Sequence, residues 1–238
     1  MRNQAKLFCY NRFKCYRMAP AATTNNPRRV YAKIKYRYMK RLIVAITGAS
    51  GVIYGIRALE ILRTIEDVES HVILSPSAAR TMAEETDFAL EDVRQLADVL
   101  YNHKDIGAAI SSGSFKTEGM LVAPCSVKTL SGIANCFDDE LVVRAADVCL
   151  KERRRVVLMF RETPLHAGHI RLMEQATQNG AIVMPPVPGF YNKPKTIDEL
   201  VTQSVGRALD LLGIDAGVVK RWKDGDAAAP STAARRHR

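Results

Sequence analysis

RLIVAITGASG, residues 41–51, decides the fold. Leu42, Ile43, Val44 and Ile46 form a short apolar run without a polar break, the composition of a strand buried on both faces. Thr47-Gly48-Ala49-Ser50-Gly51 then supplies a turn of small residues, and beyond it the period changes. Ile53, Ile56, Leu59 and Ile61 fall on or near one face of a helix expected over 52–64. Strand, glycine turn and helix are the opening half of a βαβ unit.

The same switch of period recurs along the chain. Strands are expected at 41–47, 71–75 (HVILS), 120–123 (MLVA), 155–160 (RVVLMF) and 181–184 (AIVM), with helical patterns between them. One helix, 196–212, opens on the capping box Thr196-x-x-Glu199. The pattern is that of a parallel sheet covered by helices, a single α/β domain over 39–223.

The formal charge of +10 suggests a polyanion partner until it is mapped. Residues 1–38 carry ten Lys and Arg and no acid, and the remaining 25 basic residues balance 25 acidic ones, so the body has no net field to draw it to nucleic acid. The basic segment lacks apolar periodicity and is expected to be disordered, either a transit-like extension or residues upstream of a true start at Met39. The tail 224–238 is expected to be disordered too. Five cysteines without a Cys-x-x-Cys pair argue for a reducing compartment, and no apolar run approaches the roughly 20 residues that cross a bilayer. The expected location is cytoplasmic, or mitochondrial if 1–38 is a genuine transit peptide.

In open α/β sheets ligands bind beyond the carboxyl ends of the strands, so the loops after each run carry the chemistry. Gly48, Ala49 and Ser50 let backbone N–H groups and a hydroxyl approach a phosphate at a helix N-terminus. The spacing Gly48-x-x-Gly51-x-x-x-Gly55 is not the dinucleotide fingerprint, and Ser75 stands where a ribose-binding acid would be expected, so a mononucleotide is favoured over NAD. Pro124-Cys125-Ser126-Val127-Lys128-Thr129 offers hydroxyls, a cation and free N–H groups for an anion or flavin, although a plain helix cap by Ser126 accounts for it equally well. Cys125 reads as a small packed residue.

Arg153, Arg154 and Arg155 read as a solvated face. Arg161-Glu162 ends the fourth run at the ligand edge, where an Arg can bind phosphate and a Glu can move a proton. His166-x-x-His169 has metal spacing but no third ligand, so no metal is expected. The loop 185–191 (PPVPGFY) looks like a rigid pocket wall that presents Tyr191. Nothing local marks Arg207.

TGASG, PCSVKTLSGIA, RAADVCLKERR, RETPLHAGHIRLM and MPPVPGFY together resemble the UbiX flavin prenyltransferase family in order and spacing, from about Met39 to Trp222. The resemblance implies a flavodoxin-like or Rossmann-like three-layer α/β/α fold with a mainly parallel sheet. It implies reduced FMN as prenyl acceptor, held by Gly48, Ala49, Ser50, Ser75, Ser126, Val127, Lys128, Thr129 and Arg161. Dimethylallyl phosphate would be held by Tyr191 and Arg207, with Trp222 a further apolar wall. Arg144, Lys151 and Glu162 match catalytic positions around the prenyl phosphate. The prenyl group would join N5 and then C6 of the flavin, and the product, prenylated FMN, would serve a UbiD-type decarboxylase. Members are homo-oligomers, dodecamers with sites built between subunits.

The residues fit departure of a phosphate dianion among Arg and Lys side chains. Asp138-Asp139-Glu140 lacks the third carboxylate of the Asp-Asp-x-x-Asp signature of Mg²⁺-dependent prenyltransferases. The main rival is an FMN-dependent cysteine decarboxylase of the same fold, whose Pro-Ala-Ser-Ala-Asn-Thr motif contrasts with Pro-Cys-Ser-Val-Lys-Thr here. A flavin carrier or an RNA-binding module would rest only on the basic extension.

Overall fold

The computed structural model describes residues 39–223. The expectations for 1–38 and 224–238, and with them the location, fall outside the described residues. Six strands form one sheet: β1 (Lys40–Ile46), β2 (Val68–Leu74), β3 (Val99–Tyr101), β4 (Gly119–Cys125), β5 (Arg155–Phe160) and β6 (Ile182–Val183). Every pairing is parallel and the order is β3-β2-β1-β4-β5-β6.

Seven helices cover the sheet: α1 (Ile53–Leu62), α2 (Pro76–Glu85), α3 (Leu90–Leu96), α4 (Val127–Ala134), α5 (Leu141–Lys151), α6 (Ala167–Gln178) and α7 (Ile197–Leu211). Side chains alternate across a strand, so β1 feeds two cores at once. Leu42, Val44 and Ile46 pack under α1, α2, α3 and α7, while Ile43 and Ala45 pack under α4, α5 and α6. The result is the three-layer α/β/α arrangement expected. Without the three-residue edge strand β3 the order is that of flavodoxin, and with it that of the Rossmann fold, so both descriptions hold.

Strand β3 was not among the expected runs, because Val99, Leu100 and Tyr101 are half-buried at the edge and too few to show a period. At α7, Thr196 Oγ1 accepts from Glu199 N at 3.1 Å as the capping box requires, but Glu199 Oε2 reaches Lys195 N, one residue further out. Arg154 and Arg155 are structural rather than merely solvated. Arg154 donates to the carbonyls of Gly113 and Phe115 ahead of β4, and Arg155 Nη1 donates to Leu211 O at the end of α7. No helix among the described residues is long and apolar enough to cross a membrane.

One buried polar group makes the fold sensitive to acid. His71 on β2 is 3% exposed; its Nδ1 lies 2.9 Å from Tyr101 Oη, and its Nε2 is 3.7 Å from Glu69 Oε2 with no hydrogen-bond partner. Burial, the largest influence, depresses its pKa; Arg41 adds to that, while Glu69 and Asp98 push the other way. The unfolded chain therefore takes up a proton that the folded chain refuses. Stability is fully present above about pH 6.5 and falls as the pH drops below it. In His71→Asn the thermal midpoint should fall less between neutral and mildly acid pH than in wild type, and an equal slope would contradict this.

Candidate active site

The carboxyl ends of β2, β1, β4 and β5 lie side by side, and the strand order reverses between β1 and β4, where a crevice forms in such sheets. Thr47, 1% exposed, joins the two sides of that crevice. Its Oγ1 donates to Pro124 O at 2.7 Å and accepts from Ser126 N at 2.9 Å. The turn after β1 and the turn after β4 are thereby one hydrogen-bonded unit. Arg161 N donates to Cys125 O at 3.1 Å and Ser75 N to Ile46 O at 3.1 Å, so the ends of β5 and β2 are tied to the same unit.

Gly48 is required where it stands, because a Cβ there would run into the Cβ and backbone of Ser77 at the start of α2. Gly48→Ala should push α2 away from the turn, costing about 1–3 kcal/mol of stability. Thermal unfolding checks this, and an unchanged midpoint would show that the turn has room.

Ser75 caps α2, its Oγ accepting from Ala78 N at 3.1 Å, and Ser126 caps α4, its Oγ accepting from Thr129 N at 3.3 Å and meeting Thr129 Oγ1 at 3.1 Å. The cap reading of Ser126 is therefore right as geometry, and it leaves the first-turn N–H groups of Val127 and Lys128 without intrahelical acceptors at the crevice. Lys128 is exposed and paired with Glu140 Oε1 at 2.5 Å. Cys125 is fully buried and its thiol is pushed far up by burial, so it is packing.

Two groups that the sequence did not single out belong here. Glu85, the last residue of α2, accepts from Gly51 N at 2.7 Å and from Val52 N at 3.4 Å. The N-terminus of α1, where a phosphate was expected, thus already faces a carboxylate. Tyr54 on α1 has its phenol pKa raised by burial, with the Arg161 guanidinium pulling it back. Glu85 sits in an ordinary acidic helix end and its partner is 34 residues away, so no local pattern marks it.

At the end of β5, Arg161 and Glu162 are half-buried, and Glu162 Oε1 accepts from Thr163 N at 3.0 Å, which fixes the carboxylate's direction. His166 caps α6 by accepting from Gly168 N at 3.0 Å and stacks on His169 at 3.7 Å between centroids. Among the described residues no three His, Cys, Asp or Glu side chains converge on a metal position.

The remaining candidate residues lie on α5, in the loop after β6, on α7 and in the segment after it. Lys151 ends α5 and pairs with Glu152 at 2.8 Å, four residues before β5 begins. The six residues of β5, about 20 Å of strand, separate that edge from Glu162. Arg144, two turns earlier on α5, is held by Asp138 at 3.0 Å and Asp147 at 3.2 Å.

Tyr191, Trp222 and Arg207 gather on the outer side of α7. The Tyr191 and Trp222 rings meet edge to face at 5.7 Å, and Arg207 and Arg221 both pair with Asp210 at 2.7 Å. Burial works against the charge of Asp210, but Arg221 and Arg207 outweigh it and hold the carboxyl below its usual value. Arg57 of α1 pairs with Asp198 and donates to Thr202 Oγ1 at 3.3 Å, so Arg207 lies about 7.5 Å further down α7 from that contact.

The Flavoprotein family model matches residues 33–208. A curated flavin prenyltransferase UbiX of Escherichia coli (strain K12) is 56% identical over 187 residues, covering 78% of this chain and 99% of that protein. Among solved structures, AnUbiX in complex with FMN and dimethylallyl pyrophosphate has a TM-score of 0.75 at 50% identity, covering 77% of this chain and 97% of that one. A dodecameric FMN-dependent UbiX-like decarboxylase from Escherichia coli O157:H7 also has a TM-score of 0.75, at 46% identity, covering 76% and 98%.

Proposed function

The chain belongs to the UbiX flavin prenyltransferase family, and from that premise we propose how its residues divide the transfer of a dimethylallyl group from dimethylallyl phosphate to reduced FMN. The cysteine-decarboxylase alternative is not favoured, since the chain is more than half identical to a flavin prenyltransferase over nearly that protein's whole length.

FMN's phosphate sits at the N-terminus of α4, where Ser126, Val127, Lys128 and Thr129 offer N–H groups and hydroxyls, with Ser75 and Arg161 beside them. The N-terminus of α1 is unsuited to it, because Glu85 holds those donors and adds a negative charge. Gly48, Ala49 and Ser50 instead lie against the ring system, which supplies the nucleophilic nitrogen and carbon of the reaction. Glu162, oriented by Thr163 N, handles the proton released as the second bond forms.

Departure of the phosphate needs cations around a growing dianion, and Arg144, Lys151 and Arg207 are the candidates. Arg207 and Tyr191 lie on the outer side of α7, and Arg144 and Lys151 on α5. In this reading the site is composite, with Lys151 reaching the crevice of a neighbouring copy in a homo-oligomer, consistent with the dodecamer formed by the similar E. coli O157:H7 protein. The position of Lys151, about 20 Å of strand from Glu162, is the observation that supports this arrangement. The product's recipient is a UbiD-type decarboxylase.

Mass spectrometry of flavin released after anaerobic incubation with reduced FMN and dimethylallyl phosphate tests the assignment. One added five-carbon unit, absent without protein, is expected. Unchanged FMN from folded, flavin-loaded protein would overturn it.

A further inference from the structure

Gln203 is a buried polar residue on α7, 7% exposed, and both ends of its amide are engaged. Nε2 donates to Tyr191 Oη at 3.0 Å and to Lys220 O at 3.0 Å, and Oε1 accepts from Lys220 N at 2.9 Å. The side chain thus pairs with the Lys220 peptide as a neighbouring strand would. Because Lys220 N–H can only donate, the orientation of the amide is set by the network.

The segment 217–223 lies on α7 through three positions about a turn apart. Beside Gln203, Gly206 gives it room: a Cβ there would come within 2.7 Å of methyl carbons of both Val218 and Val219. Beyond it, Asp210 receives Arg221 in a two-pronged pair at 2.7 and 3.1 Å while also holding Arg207. Trp222, in the same segment, packs edge-on against Tyr191.

The direction of the protons matters. Since Gln203 Nε2 donates to Tyr191 Oη, the phenol must give its own proton elsewhere, and here it gives it to Lys220 O at 3.1 Å. Lys220 O also accepts from Gln203, so Tyr191 can redirect its proton to a phosphate oxygen without leaving that carbonyl unsatisfied. We propose that Gln203 is a positioning residue for the dimethylallyl-phosphate end of the reaction. It holds Tyr191 as a hydrogen-bond donor and docks the strap 217–223, so that Tyr191, Trp222 and Arg207 meet the substrate as one unit. The inference rests on the assignment of Tyr191 and Arg207 to the prenyl phosphate.

Trp222 is the chain's single tryptophan, so its fluorescence reports the strap directly. In Gln203→Leu, Trp222 anisotropy should fall and its quenching by acrylamide should rise. The KM for dimethylallyl phosphate should rise about tenfold, with kcat and FMN affinity retained. Gly206→Ala, which displaces the strap and leaves the amide intact, should reproduce both changes. In a Tyr191→Phe background Gln203→Leu should raise KM by less than it does in wild type, because the part that acts through the hydroxyl is already gone and only the docking of the strap is left to lose.

Active wild type with Trp222 unchanged in both variants sinks the proposal alone, as do KM effects that multiply in the double variant or an equal loss of FMN affinity. A well-folded wild type that transfers no prenyl group sinks the functional assignment and this proposal with it.

Discussion

Glu162→Gln should lower kcat for prenyl transfer by about a hundredfold or more while FMN still binds. The substitution keeps the shape of the side chain and its carbonyl oxygen, so the bond from Thr163 N at 3.0 Å survives and the turn after β5 stays in place. What it removes is a group that can take a proton. Closing the second bond to the flavin requires one to leave, and Glu162 is the carboxylate that follows Arg161 at the crevice edge. Flavin retention and single-turnover prenylation on the same preparation separate the two roles. If FMN affinity falls in step with the rate, Glu162 is part of the flavin seat instead.

Arg207→Ala should raise the KM for dimethylallyl phosphate by about 10- to 150-fold, the loss of a charged hydrogen bond, with FMN affinity untouched. The protomer geometry makes this contrast sharp. Arg207 pairs with Asp210, which remains paired with Arg221 when Arg207 is removed, so the fold has no reason to suffer. The same geometry makes a stronger demand. If Glu162 and Arg207 reach one reaction centre from different copies, co-refolding the two impaired variants into mixed oligomers should restore wild-type kcat and KM at sites that receive both intact residues. Mixed oligomers no better than the parent variants would place both residues in one copy's site.

Much of the fold was legible in the chain, and the reason is burial. Strands β1, β2, β4 and β5 lie inside the sheet, covered on both faces, so Leu42 to Ile46 or Val156 to Phe160 had to be apolar in unbroken runs. Strand β3, half-covered at an edge, had no such requirement and left no pattern. The turns were legible for a related reason: Gly48 must be small where Ser77 crosses it, and Ser126 must carry an oxygen to cap α4.

The side chains that work at a distance were not legible. Glu85 and Gln203 look like solvent-facing positions of amphipathic helices, and only the folded chain brings Gly51 to one and Lys220 to the other. The placement of Lys151 at the end of α5 beside the start of β5 was equally hidden, since a motif records residue types and not where the fold carries them.

The hydroxyl of Thr47 bears on how the flavin arrives. By joining the turn after β1 to the turn after β4 while buried in the protein, it places the ordering of both turns in the folding step rather than in the binding step. The flavin then meets a seat whose two halves already hold their spacing, and its association has little conformational entropy left to remove.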